Sequence, residues 1–407
     1  MTRPRVAVTG IGIVCALGRN QHEFWANAVE GKTGIGQLDL FDATGCLGSL
    51  AAQAPESAVM TAAAANRRRT RRDSRTDLLN GIAAAEAVAQ AGLGPDPLSD
   101  FGISLGTSTA GMLEAERWVR EGVTDGFDRV APSAVLRVPT SAPADAVARG
   151  LGLRGPRLSN MTACASSALS IGFAADLIRS GDAPGMIAGG GDGLCLMTYA
   201  GFNALRLIDP KPCRPFDSSR QGLSLGEGAG ILVMENWDLA LARGAQPLAE
   251  FLDYGASCDA NHMTAPHPEG RGAAASISEA LARAGLVSSE IGHINAHGTG
   301  TPMNDAAEAR AILAVFGPEL SARLPITSTK SMVGHLLGGS GGLEAATLVL
   351  SLRHQLAPPT LGFTTGDPGV SLDPVTLRAR RVVFEHGLSN SFGFGGTNCS
   401  LVFRRVA

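Results

Sequence analysis

Cys164 stands in the run Asn160-Met161-Thr162-Ala163-Cys164-Ala165-Ser166-Ser167, where small neighbours leave room for a substrate to approach sulfur. A thiol in such a setting serves as a nucleophile once its proton is removed. The stretch alone fits a buried structural cysteine equally well, because Cys is among the most buried residue types. Two distant segments shift the balance. Asn295-Ala296-His297-Gly298-Thr299-Gly300-Thr301-Pro302 sets His297 on a glycine-threonine turn after a strand, with no structural task in view. Ser328-Thr329-Lys330-Ser331-Met332-Val333-Gly334-His335 adds a lysine and a second histidine in a polar loop. Taken singly, Lys330 and His335 read as a surface lysine and a satisfied core histidine. Taken together, the four side chains read as nucleophilic catalysis with donors for a developing oxyanion. Ser389-Asn390-Ser391-Phe392-Gly393-Phe394-Gly395-Gly396-Thr397-Asn398 is a glycine-rich turn between strands. No P-loop lysine or helix follows it, so amides that bind an oxyanion fit it better than a phosphate nest. Asp305 and Glu308 read instead as an acidic capping box opening a helix to Phe316, and so as structure.

The elements that must position these groups follow from periodicity. Arg157-Leu158-Ser159 reads as a strand, and Ala168, Leu169, Ile171, Phe173, Ala174, Leu177 and Ile178 as a buried helix closed by Gly181. Cys164 then lies near the helix N-terminus, where free N–H groups and the dipole favour thiolate. Val6 to Thr9 reads as a strand with Gly10 and Gly12 turning the chain, His22–Val29 as a helix, and 34–60 as irregular surface. Leu78–Ala91 reads as a helix, and Phe101–Leu105 as a strand. Met186–Ala188 reads as a strand ahead of the run Gly189 to Gly193, and Ile231–Met234 as another. Two segments echo each other. Ala89-Gln90-Ala91-Gly92-Leu93 and Ala282-Arg283-Ala284-Gly285-Leu286 each precede a linker, a strand and a Gly-Thr pair. The Cys164 helix and Ser340–Leu350 form a second matched pair at similar spacing. The repeat predicts a duplicated α/β fold with a site between its halves.

Composition narrows the function. Net charge is −3 and aromatics are 5%, with no basic tail or aromatic-interleaved basic stripe, which excludes nucleic-acid binding. Arg67, Arg68, Arg69, Arg71, Arg72 and Arg75 make only a local basic cluster. The seven cysteines are dispersed without CxxC spacing, which predicts reduced thiols, no zinc site and a cytoplasmic setting. Gly10 and Gly12 interrupt the apolar start, so it reads as a first strand and not a signal peptide. No run of about eighteen apolar residues predicts a membrane span.

Five motifs occur in a specific order: Thr162-Ala163-Cys164-Ala165-Ser166, Glu227 within Gly-Glu-Gly, His297-Gly-Thr-Gly-Thr-Pro302, Lys330-Ser-Met-Val-Gly-His335 and Gly393-Phe394-Gly395-Gly396-Thr397-Asn398. The ordered set resembles the β-ketoacyl-acyl carrier protein synthases of the ketosynthase II type, within the thiolase superfamily, over nearly the whole chain. The resemblance implies a thiolase-like duplicated α/β fold in five layers, αβαβα. Residues 1–248 would form a half carrying the nucleophile, and 249–407 a half carrying the histidines, lysine and oxyanion turn. It implies decarboxylative Claisen condensation of an acyl chain on Cys164 with a malonyl unit, in fatty-acid or polyketide and polyene elongation. Cys164 and Phe394 would form the oxyanion hole through their backbone N–H groups, with Phe394 also a gate. His297 and His335 would bind the malonyl thioester and stabilise the enolate, and Lys330, with Glu344 as its ionic companion, would hold the histidines. Thr299 and Thr301 would bind the pantetheine arm, and Phe202 and Thr109 the acyl chain. No metal or other cofactor is implied, since substrates ride on the phosphopantetheine of acyl carrier protein. The partners implied are that carrier and a second ketosynthase-like chain, as a homodimer or as a heterodimer with a non-catalytic chain-length factor.

Two features depart from the family pattern. Thr109 stands where a bulkier apolar residue commonly floors the acyl pocket, and the connection from Ala200 to Asp217 is short. Both predict altered pocket depth or polarity. Arg68, Arg69 and Arg206, with Lys211, are expected to meet an acidic carrier protein, against the plainer reading of a solvated basic face. A thiolase would replace one histidine by a second cysteine; Cys399 lies near the right turn, but both histidines are present.

Overall fold

The computed structural model describes residues 3–65 and 73–406, so Arg67, Arg68, Arg69, Arg71 and Arg72 lie outside the described residues. Two series of elements follow one another. The first is β1 (Val6–Cys15), α1 (Arg75–Gln90), β2 (Gly102–Gly106), α2 (Ala142–Leu151), β3 (Arg157–Asn160), α3 (Ser166–Ser180), β4 (Gly185–Asp192) and β5 (Gly228–Asn236). The second is β6 (Ala249–Cys258), α4 (Arg271–Ala284), β7 (Ile291–Asn295), α5 (Pro302–Ser321), β8 (Pro325–Thr327), α6 (Ser340–His354), β9 (His386–Phe392) and β10 (Thr397–Arg405). The strands form one continuous sheet in the order β8-β7-β9-β10-β6-β1-β5-β4-β2-β3, with Asp373–Pro374 added beyond β8. Read outward from the β6/β1 junction, both halves have the same order, and their pairings match: antiparallel near the junction, parallel at the edges. The echo read in the sequence is thus a repeat in three dimensions.

The layers follow from which faces are apolar. Helices α3 and α6 are buried over most of their length and pack on each other and on strands of both halves, so they form the central layer. Helices α1 and α2 cover the outer face of the first half-sheet, and α4 and α5 that of the second. The result is the thiolase-like αβαβα arrangement.

Three local expectations are corrected. Gly10 and Gly12 do not turn the chain after the first strand; β1 runs through both to Cys15. They are glycines because α1 lies directly on them: a Cβ at Gly12 would stand 1.8 Å from the carbonyl oxygen of Ala83. Gly189 to Gly191 likewise lie inside β4, where a Cβ at Gly189 would stand 2.2 Å from the carbonyl oxygen of Gly230 and one at Gly190 2.0 Å from that of Gly106, both on neighbouring strands. The segment 34–60 contains the paired strands Ile35–Gln37 and Leu50–Ala52 and the start of the helix Glu56–Ala65; three-residue strands are too short to leave a periodic signature. Finally, Arg75 of the basic cluster is buried, in bidentate contact with Glu227 at 2.6 and 2.8 Å and bonded to Glu56 at 2.7 Å. Glu227 is likewise buried and accepts the N–H groups of Ala54 and Leu194.

The close approach of α6 to the sheet gives a stability prediction. A Cβ at Gly230 would stand 2.2 Å from the backbone nitrogen of Leu343. Gly230→Ala should therefore destabilise the fold by about 1–3 kcal/mol, seen as a lowered melting temperature.

Candidate active site

Cys164 precedes α3 by two residues on a sharp turn in which Ala163 holds φ at +48°, a conformation unusual for a residue with a Cβ. The carbonyl of Ala163 accepts Ser166 Oγ at 2.6 Å and Ser108 Oγ at 3.1 Å, which fixes that turn. Gly106 at the end of β2 makes the room, since a Cβ there would lie 2.2 Å from the Ser166–Ser167 backbone.

From the other half, the strand β7 delivers His297. Two carboxylates of α5 hold its loop: Glu308 accepts the N–H groups of His297 and Gly298 at 2.8 and 2.7 Å, and Asp305 accepts that of Thr299 at 3.0 Å and that of Phe216 at 2.8 Å. The expected capping box is corrected here. Thr301 caps α5 and Pro302 opens it, while Asp305 and Glu308 sit inside the helix and reach back to the histidine loop. Their role is structural, and burial pushes Glu308 up to about 7.

Lys330 is wholly buried behind the histidines. Its ammonium donates to the carbonyl of His297 at 2.7 Å, to His297 Nδ1 at 3.2 Å and to the Glu344 carboxylate, which uses all three protons. An ammonium has no acceptor, so Nδ1 of His297 presents a lone pair and Nε2 carries the ring proton. The same logic holds for His335, whose Nδ1 accepts the backbone N–H of Leu337 at 3.0 Å and lies 3.0 Å from Ser340 Oγ. Burial first, then the Lys330 charge, holds both imidazoles well below the usual histidine range, so they are neutral. Each is thereby set as a hydrogen-bond donor through Nε2.

One ligand atom from each of Cys164, His297 and His335 lies within 4.8 Å of the others, and all three residues are buried. The trio has the spacing of a metal site, but with Nε2 protonated on both rings it suits donation to an oxygen better than ligation. The imidazole rings stand 5.4 Å apart and nearly perpendicular. The backbone N–H of Phe394 is directed at the Cys164 sulfur. Thr299 and Thr301, whose hydroxyls are 2.8 Å apart, line the same cavity with Phe202, Leu207 and Phe394. The Phe202 and Phe394 rings stack at 5.6 Å. Burial opposes the expected activation of Cys164 by the helix terminus. Burial dominates and pushes the thiol up to about 11, against the opposing pull of Lys330 and the Phe394 N–H.

Some assigned residues lie elsewhere. Thr109 is turned onto Asp192, which its hydroxyl meets at 2.8 Å, and does not line this cavity. Arg206 is exposed between the cavity-lining residues Phe202 and Leu207, and Arg68 and Arg69 lie outside the described residues. Sequence reasoning missed the loop after β6. His262, Thr264, Ala265 and Pro266 line the cavity, and Asp259 clamps the glycine turn through the Gly396 carbonyl at 2.8 Å and Asn398 at 2.9 Å. The signal was the cluster Asp259-Ala260-Asn261-His262 directly after a strand.

A buried thiol beside two imidazole donors and a convergent backbone N–H can form a thioester and stabilise an enolate oxygen. The comparisons agree with that chemistry. A sequence family described as "Beta-ketoacyl synthase, N-terminal domain" matches residues 3–240, and its C-terminal counterpart matches residues 248–364. The 3-oxoacyl-[acyl-carrier-protein] synthase 2 of Synechocystis sp. is 36% identical over 414 residues, covering 100% of this chain and 99% of that protein. The ishigamide ketosynthase/chain length factor superposes with a TM-score of 0.93 at 34% identity, covering 100% of both chains. A type II polyketide ketosynthase in complex with its acyl-carrier protein (AntDE:AntF) gives 0.89 at 29% identity, again over 100% of both chains.

Proposed function

We propose, on the premise that the chain belongs to the β-ketoacyl synthase family, that it condenses a Cys164-bound acyl chain with a malonyl unit on acyl carrier protein. The observation that carries this reading is the meeting of sulfur and two imidazoles from opposite halves within 4.8 Å. In the first step the Cys164 sulfur attacks the acyl thioester carbonyl and the carrier's pantetheine thiol leaves with the proton. The N–H groups of Cys164 and Phe394 face the oxyanion of the tetrahedral intermediate. In the second, malonyl thioester loses CO₂, and the electron pair of the broken C–C bond becomes an enolate. The Nε2–H groups of His297 and His335 hold its oxygen. The enolate carbon attacks the Cys164 thioester, a C–C bond forms, and the Cys164 thiolate leaves and takes a proton from solvent water. Decarboxylation supplies the carbanion, so the reading requires no metal or redox cofactor.

Intact-protein mass measurement with a panel of acylated carrier proteins tests this reading. The parent should gain the mass of the acyl group and Cys164→Ala should not. A parent that takes up no acyl group from any carrier would sink it.

The partner remains to be chosen between two kinds of ketosynthase-like chain. The apolar side chains Val123, Phe127 and Leu136 are 74, 54 and 68% exposed. The edge strand β3 carries no neighbour on its outer side among the described residues. The likeness to the ishigamide ketosynthase/chain length factor favours the heterodimer, and native mass measurement of the copurified complex separates it from a homodimer. The seven free thiols support a cytoplasmic setting. For the carrier, the reading assigns docking to the rim around exposed Arg206. Arg206→Glu should raise the carrier KM about tenfold with kcat unchanged, an effect that fades in high salt.

A further inference from the structure

Asp192 ends β4 as a fully buried carboxylate, and no ion pair reaches it among the described residues. It is held by donors alone. Oδ2 accepts the N–H groups of Ser108 and Gly338, both at 2.8 Å. Oδ1 accepts the N–H and hydroxyl of Thr109 at 2.9 and 2.8 Å, and the hydroxyl of Thr107. Burying a charge without a counter-ion is costly even when it is hydrogen-bonded, so the contacts it makes merit tracing.

They lead to both halves of the site. On one side, Ser108 Oγ donates to the carbonyl of Ala163, the residue in the left-handed conformation immediately before Cys164. On the other, Gly338 follows Leu337, whose N–H donates to His335 Nδ1. Leu337 is itself left-handed, at φ +51°, in a three-residue turn that has no side-chain cap. The Leu337 turn is pressed onto the Ser108 loop and the end of β4: a Cβ at Gly338 would lie 2.7 Å from the nitrogen of Ser108, and one at Gly339 would lie 2.6 Å from Cα of Gly191. The carboxylate thus bonds Ser108, 84 residues away in sequence, and Gly338, 146 residues away.

We propose that Asp192 is a positioning residue that sets the Cys164 turn of the first half against the His335 turn of the second. It touches no substrate. The inference rests on the condensing reading above, because only a reaction that passes between the two turns needs their spacing held.

The test measures three rates: acyl transfer to Cys164 by intact mass, CO₂ release from malonyl carrier, and condensation. Asp192→Ala should lower the kcat of condensation on the order of 100-fold through misplacement, with the KM for malonyl carrier within about twofold of the parent. Asp192→Asn should recover only part of the rate: its carbonyl oxygen can keep Gly338 and Ser108 and the threonine hydroxyls can rotate to accept from its nitrogen, but the Thr109 N–H then faces that nitrogen and loses its acceptor. A loss that appears in KM with kcat held, or an Asp192→Ala protein that condenses at the parent rate, overturns the proposal. Ser108→Ala keeps it testable should Asp192→Ala not fold. Removing only the link to Ala163 should slow acyl transfer and leave CO₂ release at the parent rate; equal loss in both, or in neither, overturns the proposal. Failure of the condensing reading itself shows separately, as a parent with no acyl-enzyme.

Discussion

His335→Ala should leave acyl transfer to Cys164 near the parent rate while cutting CO₂ release from malonyl carrier on the order of 10²–10³-fold, the usual cost of one oxyanion donor. The separation follows from the geometry. On the proposed mechanism the first half-reaction uses the sulfur and the N–H groups of Cys164 and Phe394, whereas the Nδ1 of His335 is engaged by Leu337 and Ser340. The second needs two Nε2–H donors on one enolate oxygen, and the substitution leaves one. His335→Asn offers a donor of similar reach and should fall between the two. Chemical quench of the acyl-enzyme and release of labelled CO₂ give the two rates independently. Equal losses in both would mean that His335 serves the fold or the nucleophile and not the enolate.

Lys330→Met should be nearly as damaging to activity and far more damaging to stability. It removes the cation from Glu344, which is 1% exposed, and orphaned buried charges cost about 3–5 kcal/mol. The deficit has a pH signature. Burial raises Glu344 to about 7 even with Lys330 opposing the rise, so without Lys330 it moves higher still. A carboxyl raised on folding contributes stability that is present below its unfolded value and is lost as pH rises through the folded one. At pH 5.5 Glu344 is protonated in both proteins and the deficit is small. It should grow as pH rises past 7, where the parent ionises at little cost and the variant does not. Melting curves at pH 5.5 and 8.5 check this. Lys330→Met/Glu344→Gln should regain the stability but not the activity, because His297 Nδ1 still lacks its donor.

How much of this was legible in the sequence depends on what kind of signal each residue leaves. Cys164, His297, Lys330 and His335 stand out because reactive side chains flanked by Gly, Ala, Ser and Thr have little packing to do. The duplication was visible because α1 and α4 end in the same words. Glycines misled wherever backbone approaches backbone: Gly12 under α1 and Gly189 to Gly191 under the central layer look like turns in one dimension. Asp192 was passed over for the same reason, as the tail of a glycine run. Arg75 read as one more member of the basic cluster because nothing local announces Glu227, 152 residues away. The burial that opposes thiolate at Cys164 was not legible, because a helix start can be read from the chain whereas the depth of burial cannot.

The burial of that sulfur has a pharmacological consequence. Cys164 is 6% exposed, so small reagents reach it less readily than they reach a surface cysteine. An inhibitor directed at it gains from a carbonyl seated against the Phe394 amide, whose N–H is directed at the sulfur, and from a shape that fits the narrow cavity leading to it.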